Sequence, residues 1–127
     1  MNVVDSSGWL EYVADDENAG FFTDPIEQEN ALGVPTIGIY EGFRHVLREA
    51  GRDEALRAVA FMKKGRVVEL DESLALNAAR ISHSHKIPMA DSIMLATARA
   101  HEATLWTQDV DVEGLDDVQY IPEGQEG

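Results

Sequence analysis

Four carboxylates in this sequence fall where a parallel α/β sheet would gather them. Asp5 ends the opening apolar run Met1-Asn2-Val3-Val4, and Glu41 lies within a turn of Val34-Pro35-Thr36-Ile37. Asp91 follows Pro88, and Asp109 comes just past Thr104-Leu105-Trp106-Thr107. Ligands of open α/β sheets bind beyond the carboxyl ends of the strands, so these acids are candidates to share one edge. Two like charges about 4 Å apart repel by roughly 4 kcal/mol at an effective dielectric of 20, and a group of them therefore calls for a cation. Oxygen donors without His or Cys suit Mg²⁺ or Mn²⁺ better than Zn²⁺. A metal held this way activates water and shields charge on phosphorus, which makes phosphodiester hydrolysis the natural chemistry. Each acid also has a local reading. Asp5 suits a helix N-cap, Glu41 and Asp91 suit helix N-termini, and Asp109 sits in an acidic stretch with Asp111 and Glu113.

The elements that must position these residues alternate. After the first strand, Ser6-Ser7 can cap a helix carrying Trp9, Leu10 and Val13. Residues Asp15 to Asn30, acidic and broken by Gly20 and Pro25, read as a loop with a short helix. The second strand, at 34–37, leads into a helix with Ile39, Phe43, Val46 and Leu47 on one face, stopping at Gly51. A second amphipathic helix follows from Asp53 to Lys64, then a strand at 66–70. Leu74, Ala75, Ala78, Ala79 and Ile81 mark a small-residue helix, and Pro88 suits the first turn of the next, with Ala90, Ile93, Met94, Thr97 and Ala98 inward. Strands at 104–107 and 118–121 complete the pattern. The expectation is an α/β fold: a central parallel sheet of four to five strands flanked by helices.

With 127 residues, the chain is long enough for one such domain and too short for two. It has no apolar run of the roughly 20 residues a membrane span needs and no basic leader, so a soluble cytoplasmic protein is expected. Zero cysteines exclude disulfides, thiolate metal sites and cysteine nucleophiles. The net charge of −14 argues, taken alone, against nucleic acid. It is unevenly spread: −9 over residues 1–43, +3 over 44–99 and −8 over 100–127. All ten basic residues lie in the middle segment, Arg44, Arg48, Arg52, Arg57, Lys63, Lys64 and Arg66 close together, as a solvated helical face or a contact surface. Seven Arg against three Lys and the large acidic surplus suit concentrated salt, and a haloarchaeal source is expected.

The quoted motifs also resemble a known family. Val3-Val4-Asp5-Ser6-Ser7-Gly8-Trp9-Leu10-Glu11-Tyr12 is similar to the opening strand and helix of VapC-like PIN-domain proteins. Val34-Pro35-Thr36-Ile37-Gly38-Ile39-Tyr40-Glu41 resembles their second acidic motif, and Leu105-Trp106-Thr107-Gln108-Asp109 their last. Pro88-Met89-Ala90-Asp91-Ser92-Ile93-Met94-Leu95-Ala96-Thr97-Ala98 is the most specific match. The resemblance implies a PIN-like nuclease domain over residues 1–122, with 123–127 as a flexible acidic tail. It implies a Mg²⁺-dependent (or Mn²⁺-dependent) endoribonuclease, the toxin of a toxin–antitoxin pair. Carried over by position, Asp5 and Asp91 are the main metal ligands, Glu41 and Asp109 complete the pocket, and Ser6 and Thr107 orient carboxylates or water. Val112 stands where many relatives have an aromatic residue, with Asp111 as a substitute or additional acid. The implied partners are an RNA, with Arg44 and Arg48 as contact candidates, a second copy of the chain, and a cognate antitoxin whose Arg-bearing arm pairs with the acids.

A non-catalytic acidic module, either a receiver-like domain or a nucleic-acid mimic, is the competing class. A receiver would need adjacent acids ending its first strand and a Lys after its last, and residues 100–127 hold no Lys. His83 and His85, two apart on a helix, face different ways and make a poor metal pair. Trp9 and Trp106 suit either base stacking or the core, and Phe21-Phe22 either a partner contact or a hydrophobic plug.

Overall fold

Val3 and Val4, adjacent in the first strand, are both buried and point to opposite faces of a sheet, each into its own apolar layer. That arrangement organises the chain, whose residues 1–124 are described by a computed structural model. Five strands, β1 (Asn2–Val4), β2 (Leu32–Pro35), β3 (Arg66–Val68), β4 (Thr104–Thr107) and β5 (Val118–Tyr120), form one sheet in the order β3-β2-β1-β4-β5, every pairing parallel. Six helices, α1 (Ser6–Val13), α2 (Ala19–Glu27), α3 (Thr36–Ala50), α4 (Arg52–Met62), α5 (Glu72–His85) and α6 (Met89–Ala100), cover it. The expected α/β architecture with a parallel sheet is the one observed. Of the expected acidic tail 123–127, residues 125–127 lie outside the described residues. No helix among the described residues is long and apolar enough to cross a membrane.

On one face, Val3, Met94, Leu95, Ala98 and Leu105 bury α6 against the sheet. On the other, Val4, Trp9, Phe22, Ile26 and Met62 bring α1, α2 and α4 together. Gly8 makes the contact between α1 and α2 possible, since a Cβ there would lie 2.6 Å from the Phe22 ring and 2.7 Å from Val4 Cγ1. Trp9 packs edge-on to Phe61 with ring centroids 5.8 Å apart, and Trp106 donates its indole N–H to Asn2 Oδ1 at 2.9 Å. Phe22 is fully buried and Phe21 packs on Trp106, so both tryptophans and the Phe pair serve the core.

Several boundaries differ from the expectation, among them the start of β2 at Leu32 rather than 34 and the end of β3 at Val68 rather than 70. Thr36 and Ile37, read as the end of a strand, begin α3, because Pro35 closes β2 in an extended conformation and the next residues are already helical. Gly38 then lets α3 approach α6, where a Cβ would stand 3.1 Å from Met94 Cε. Glu41 therefore sits in the second turn of α3 rather than the first. The segment 15–30 is more ordered than its acids suggest. Asp15 makes the turn in the left-handed region with φ 53°, α2 follows with Pro25 in its last turn, and a 3₁₀ turn (Glu29–Ala31) leads into β2.

Candidate active site

The sheet order places β1 beside β4 at the point where the strand sequence reverses, the position at which open α/β sheets bind ligands. The backbone N–H of Asp5, the residue just past β1, donates to the Trp106 carbonyl of β4 at 3.2 Å. The Asp5 side chain then does two jobs. Oδ1 caps α1, accepting from the Gly8 N–H at 2.9 Å and the Ser7 hydroxyl at 2.8 Å, while Oδ2 accepts a short hydrogen bond from the Thr107 hydroxyl. The local cap and the shared edge are thus properties of one carboxylate. Thr107 Oγ1 also accepts from the Asp109 N–H at 2.9 Å, which ties the ends of β1 and β4 to the turn beyond.

That turn carries the remaining acids of the last motif. Asp109 Oδ1 accepts from the Asp111 N–H at 2.9 Å and opens a 3₁₀ turn, Val110–Val112, anchored by the buried Val112. Asp91 projects from the first turn of α6. One oxygen each from Asp91, Asp109 and Asp111 lie within 4.8 Å of one another. On α3, Glu41 Oε1 accepts from the Ser6 hydroxyl at 2.9 Å, which holds it beside the residue that follows Asp5.

Electrostatics record the crowding. Burial, then the hydrogen bond with Asp109, then the charges of Asp109, Asp5 and Asp111 push the Asp91 carboxyl up to about 8. Burial also raises Asp5, a shift opposed by its bonds from Thr107, Gly8 and Ser7 and reinforced by the Asp109 charge. None of the ion pairs of the described residues involves these acids. An all-oxygen donor set with this much uncompensated negative charge fits a hard divalent cation such as Mg²⁺ or Mn²⁺.

Residues 3–118 match the PIN domain family. The chain belongs to that family. No curated protein matches it. Among solved structures, this PIN domain is similar to a chain of a toxin–antitoxin complex from Klebsiella pneumoniae, with 16% identity over 94% of this chain and 96% of the other and a TM-score of 0.76. It is similar to VapC20 of Mycobacterium tuberculosis, a sarcin-ricin loop cleaving toxin, with 19% identity over 93% and 98% of the two chains and a TM-score of 0.72. It also resembles a chain of VapBC2 from Rickettsia felis bound to promoter DNA, with 11% identity, coverage of 95% and 97%, and a TM-score of 0.73.

The PIN domain thus gathers Asp91, Asp109 and Asp111 most tightly, sets Asp5 close enough for its charge to act on Asp91, and reaches Glu41 through Ser6. Arg44 and Arg48 do not join them. Both are exposed on α3, Arg48 paired with Glu49 at 3.2 Å and Arg44 lining an apolar groove with Tyr40 and Leu56. His83 and His85 are exposed at the end of α5. Sequence reasoning passed over Ser7, which bonds Asp5, and Gln108, whose buried side chain sits between Thr107 and Asp109.

Proposed function

We propose that this PIN domain is an endoribonuclease that depends on Mg²⁺ or Mn²⁺ and acts as the toxin of a toxin–antitoxin pair. The observation that carries the reading is the convergence of Asp91, Asp109 and Asp111 beside Asp5 at the switch point of the sheet. Asp5 and Asp91 would hold the cation, with Asp109, Asp111 and Glu41 completing the pocket. When bound, the cation supplies a water activated for attack and shields the charge developing on the phosphodiester. The chain's own groups set the geometry: Thr107 orients Asp5, Ser6 orients Glu41, and the Thr107–Asp109 bond keeps the turn closed on the site. Arg44 and Arg48, on the helix that carries Glu41, are the RNA-contact candidates.

The toxin assignment rests on the kind of proteins that share the fold, which include toxin–antitoxin complexes and an RNA-cleaving toxin. The partner is an antitoxin whose Arg-bearing arm closes the acidic pocket by bidentate pairing. Self-association would use the apolar surface of α3 and α4, where Tyr40, Leu47 and Leu56 are exposed.

Cleavage of a structured RNA at high salt tests the reading, comparing wild type with Asp5→Asn and Asp91→Asn, with and without Mg²⁺ or Mn²⁺. Cleavage should require the cation and fall by roughly 10²-fold or more in either variant, beyond the loss typical of outer residues. Equal activity under all conditions would sink the assignment. Function retained without metal and in Asp91→Asn would point to the nucleic-acid mimic.

A further inference from the structure

Asn18 stands immediately before α2, where an Asn side chain ordinarily accepts from the first free N–H groups of the helix, yet it makes no such bond. Its carboxamide reaches instead across 90 residues of sequence, donating from Nδ2 to Gln108 Oε1 at 2.9 Å. The same nitrogen donates to the Pro122 carbonyl, also at 2.9 Å. The Asn18 backbone N–H is taken by Glu11 Oε1 at 3.0 Å, which fixes the residue against α1. Asn18 and Gln108 are each only 8% exposed. Both N–H groups of one buried amide therefore clamp the chain after β4 to the chain after β5.

The clamp lies where the site most needs holding. β4 ends at Thr107, and the single 3₁₀ turn beyond it brings Asp109 and Asp111 up to Asp91. Asp109 and Asp111 reach Asp91 only while that turn stays closed on the site, so whatever anchors the turn sets the spacing of the three carboxylates. Val112 anchors the far end of that turn in the core, and Gln108 anchors its near end through a side-chain bond to a distant segment.

We propose that Asn18 is a positioning residue of the metal centre, acting through Gln108 to hold Asp109 and Asp111 against Asp91 and Asp5. The inference rests on the reading of these acids as a cation site. It adds a residue from the acidic segment 15–30 that bonds none of Asp5, Glu41, Asp91, Asp109 and Asp111.

Titration of the full chain with Mn²⁺, read by electron paramagnetic resonance at fixed pH and high salt, tests it on wild type, Asn18→Ala, Gln108→Met and the double variant. Each single substitution should weaken Mn²⁺ binding by roughly 10-fold, as loss of an outer partner does. The double variant should lose no more than the weaker-binding single, because both remove one bond. Melting temperatures measured in parallel separate this from mere destabilisation. An Asn18→Ala protein that melts earlier yet binds Mn²⁺ as wild type does, or independent losses that add in the double variant, would overturn the proposal. Should Asn18→Ala not fold, Gln108→Met decides alone, since it leaves the bond from Asn18 to Pro122 in place, and wild-type affinity there would overturn it. Wild-type protein that takes up no Mn²⁺ would remove the metal-site reading and this inference together, whereas Mn²⁺ uptake without RNA cleavage would count against the nuclease reading alone.

Discussion

Asp91 is the side chain on which the acidic pocket weighs most. Its carboxyl stands at about 8 against an ordinary value of 3.8, and Asp5 is shifted in the same direction. Between about pH 4 and about pH 8 the cation-free folded protein therefore binds more protons than the unfolded chain. The stability tied to Asp91 is complete below the lower value and is lost as pH rises through the upper one, with the Asp5 shift acting in the same direction. In EDTA the melting temperature should fall from pH 5.5 to 8.5, and Mg²⁺ should remove much of that fall by supplying the compensating charge. Asp91→Asn should flatten the EDTA profile, and a melting temperature that climbs over this window would contradict the account. Asp5, Glu41, Asp91 and Asp109 were legible as site candidates because each follows a recognisable strand or opens a helix. Asp111 was legible only as a substitute or additional acid; its closeness to Asp91, and the diversion of Asn18 from its helix to Gln108, were not. Both depend on contacts between segments far apart in sequence, which no local pattern encodes.

At the scale of elements, the site is only as firm as the packing of the helices that begin at it. α1 starts at Asp5, and Gly8, one turn in, both donates to Asp5 and gives way to the Phe22 ring. Gly8→Ala would force α1 and α2 apart, at a cost typical of overpacking, about 1–3 kcal/mol. Urea unfolding should show this as a lower midpoint with an unchanged m-value, and a midpoint equal to wild type would show that α2 yields freely. The order of strands and helices was readable because short apolar runs alternate with helical 3.6-residue periodicity and with Gly and Pro breaks. One junction misled for a physical reason. Thr36 and Ile37 are β-branched, which favours strands, but Pro35 ends β2 and Gly38 seats α3 against Met94. The short helix expected within the acidic segment is α2, held because Phe22 and Ile26 bury one side of it.

Over the whole molecule, a charge of −14 on 127 residues opposes compaction and repels anions, and salt screens both effects. We expect the melting temperature and solubility to rise with KCl from about 0.1 M to about 2 M, over which the screening length falls from about 10 Å towards 3 Å or less. Fold and solubility indifferent to salt would remove the case for a haloarchaeal origin. The sheet order has a different consequence, in time. Asn2 pairs with Leu32 on one side and with Thr104 on the other. During synthesis at about 5–20 residues per second, the second partner of β1 follows the first strand by roughly 5–20 s. Through that interval the chain carries Asp5, joined on the way by Glu41, without Asp109 or Asp111. A nascent chain shorter than 111 residues lacks the tight acidic triad altogether, so the activity proposed for the domain waits on synthesis of the turn beyond β4.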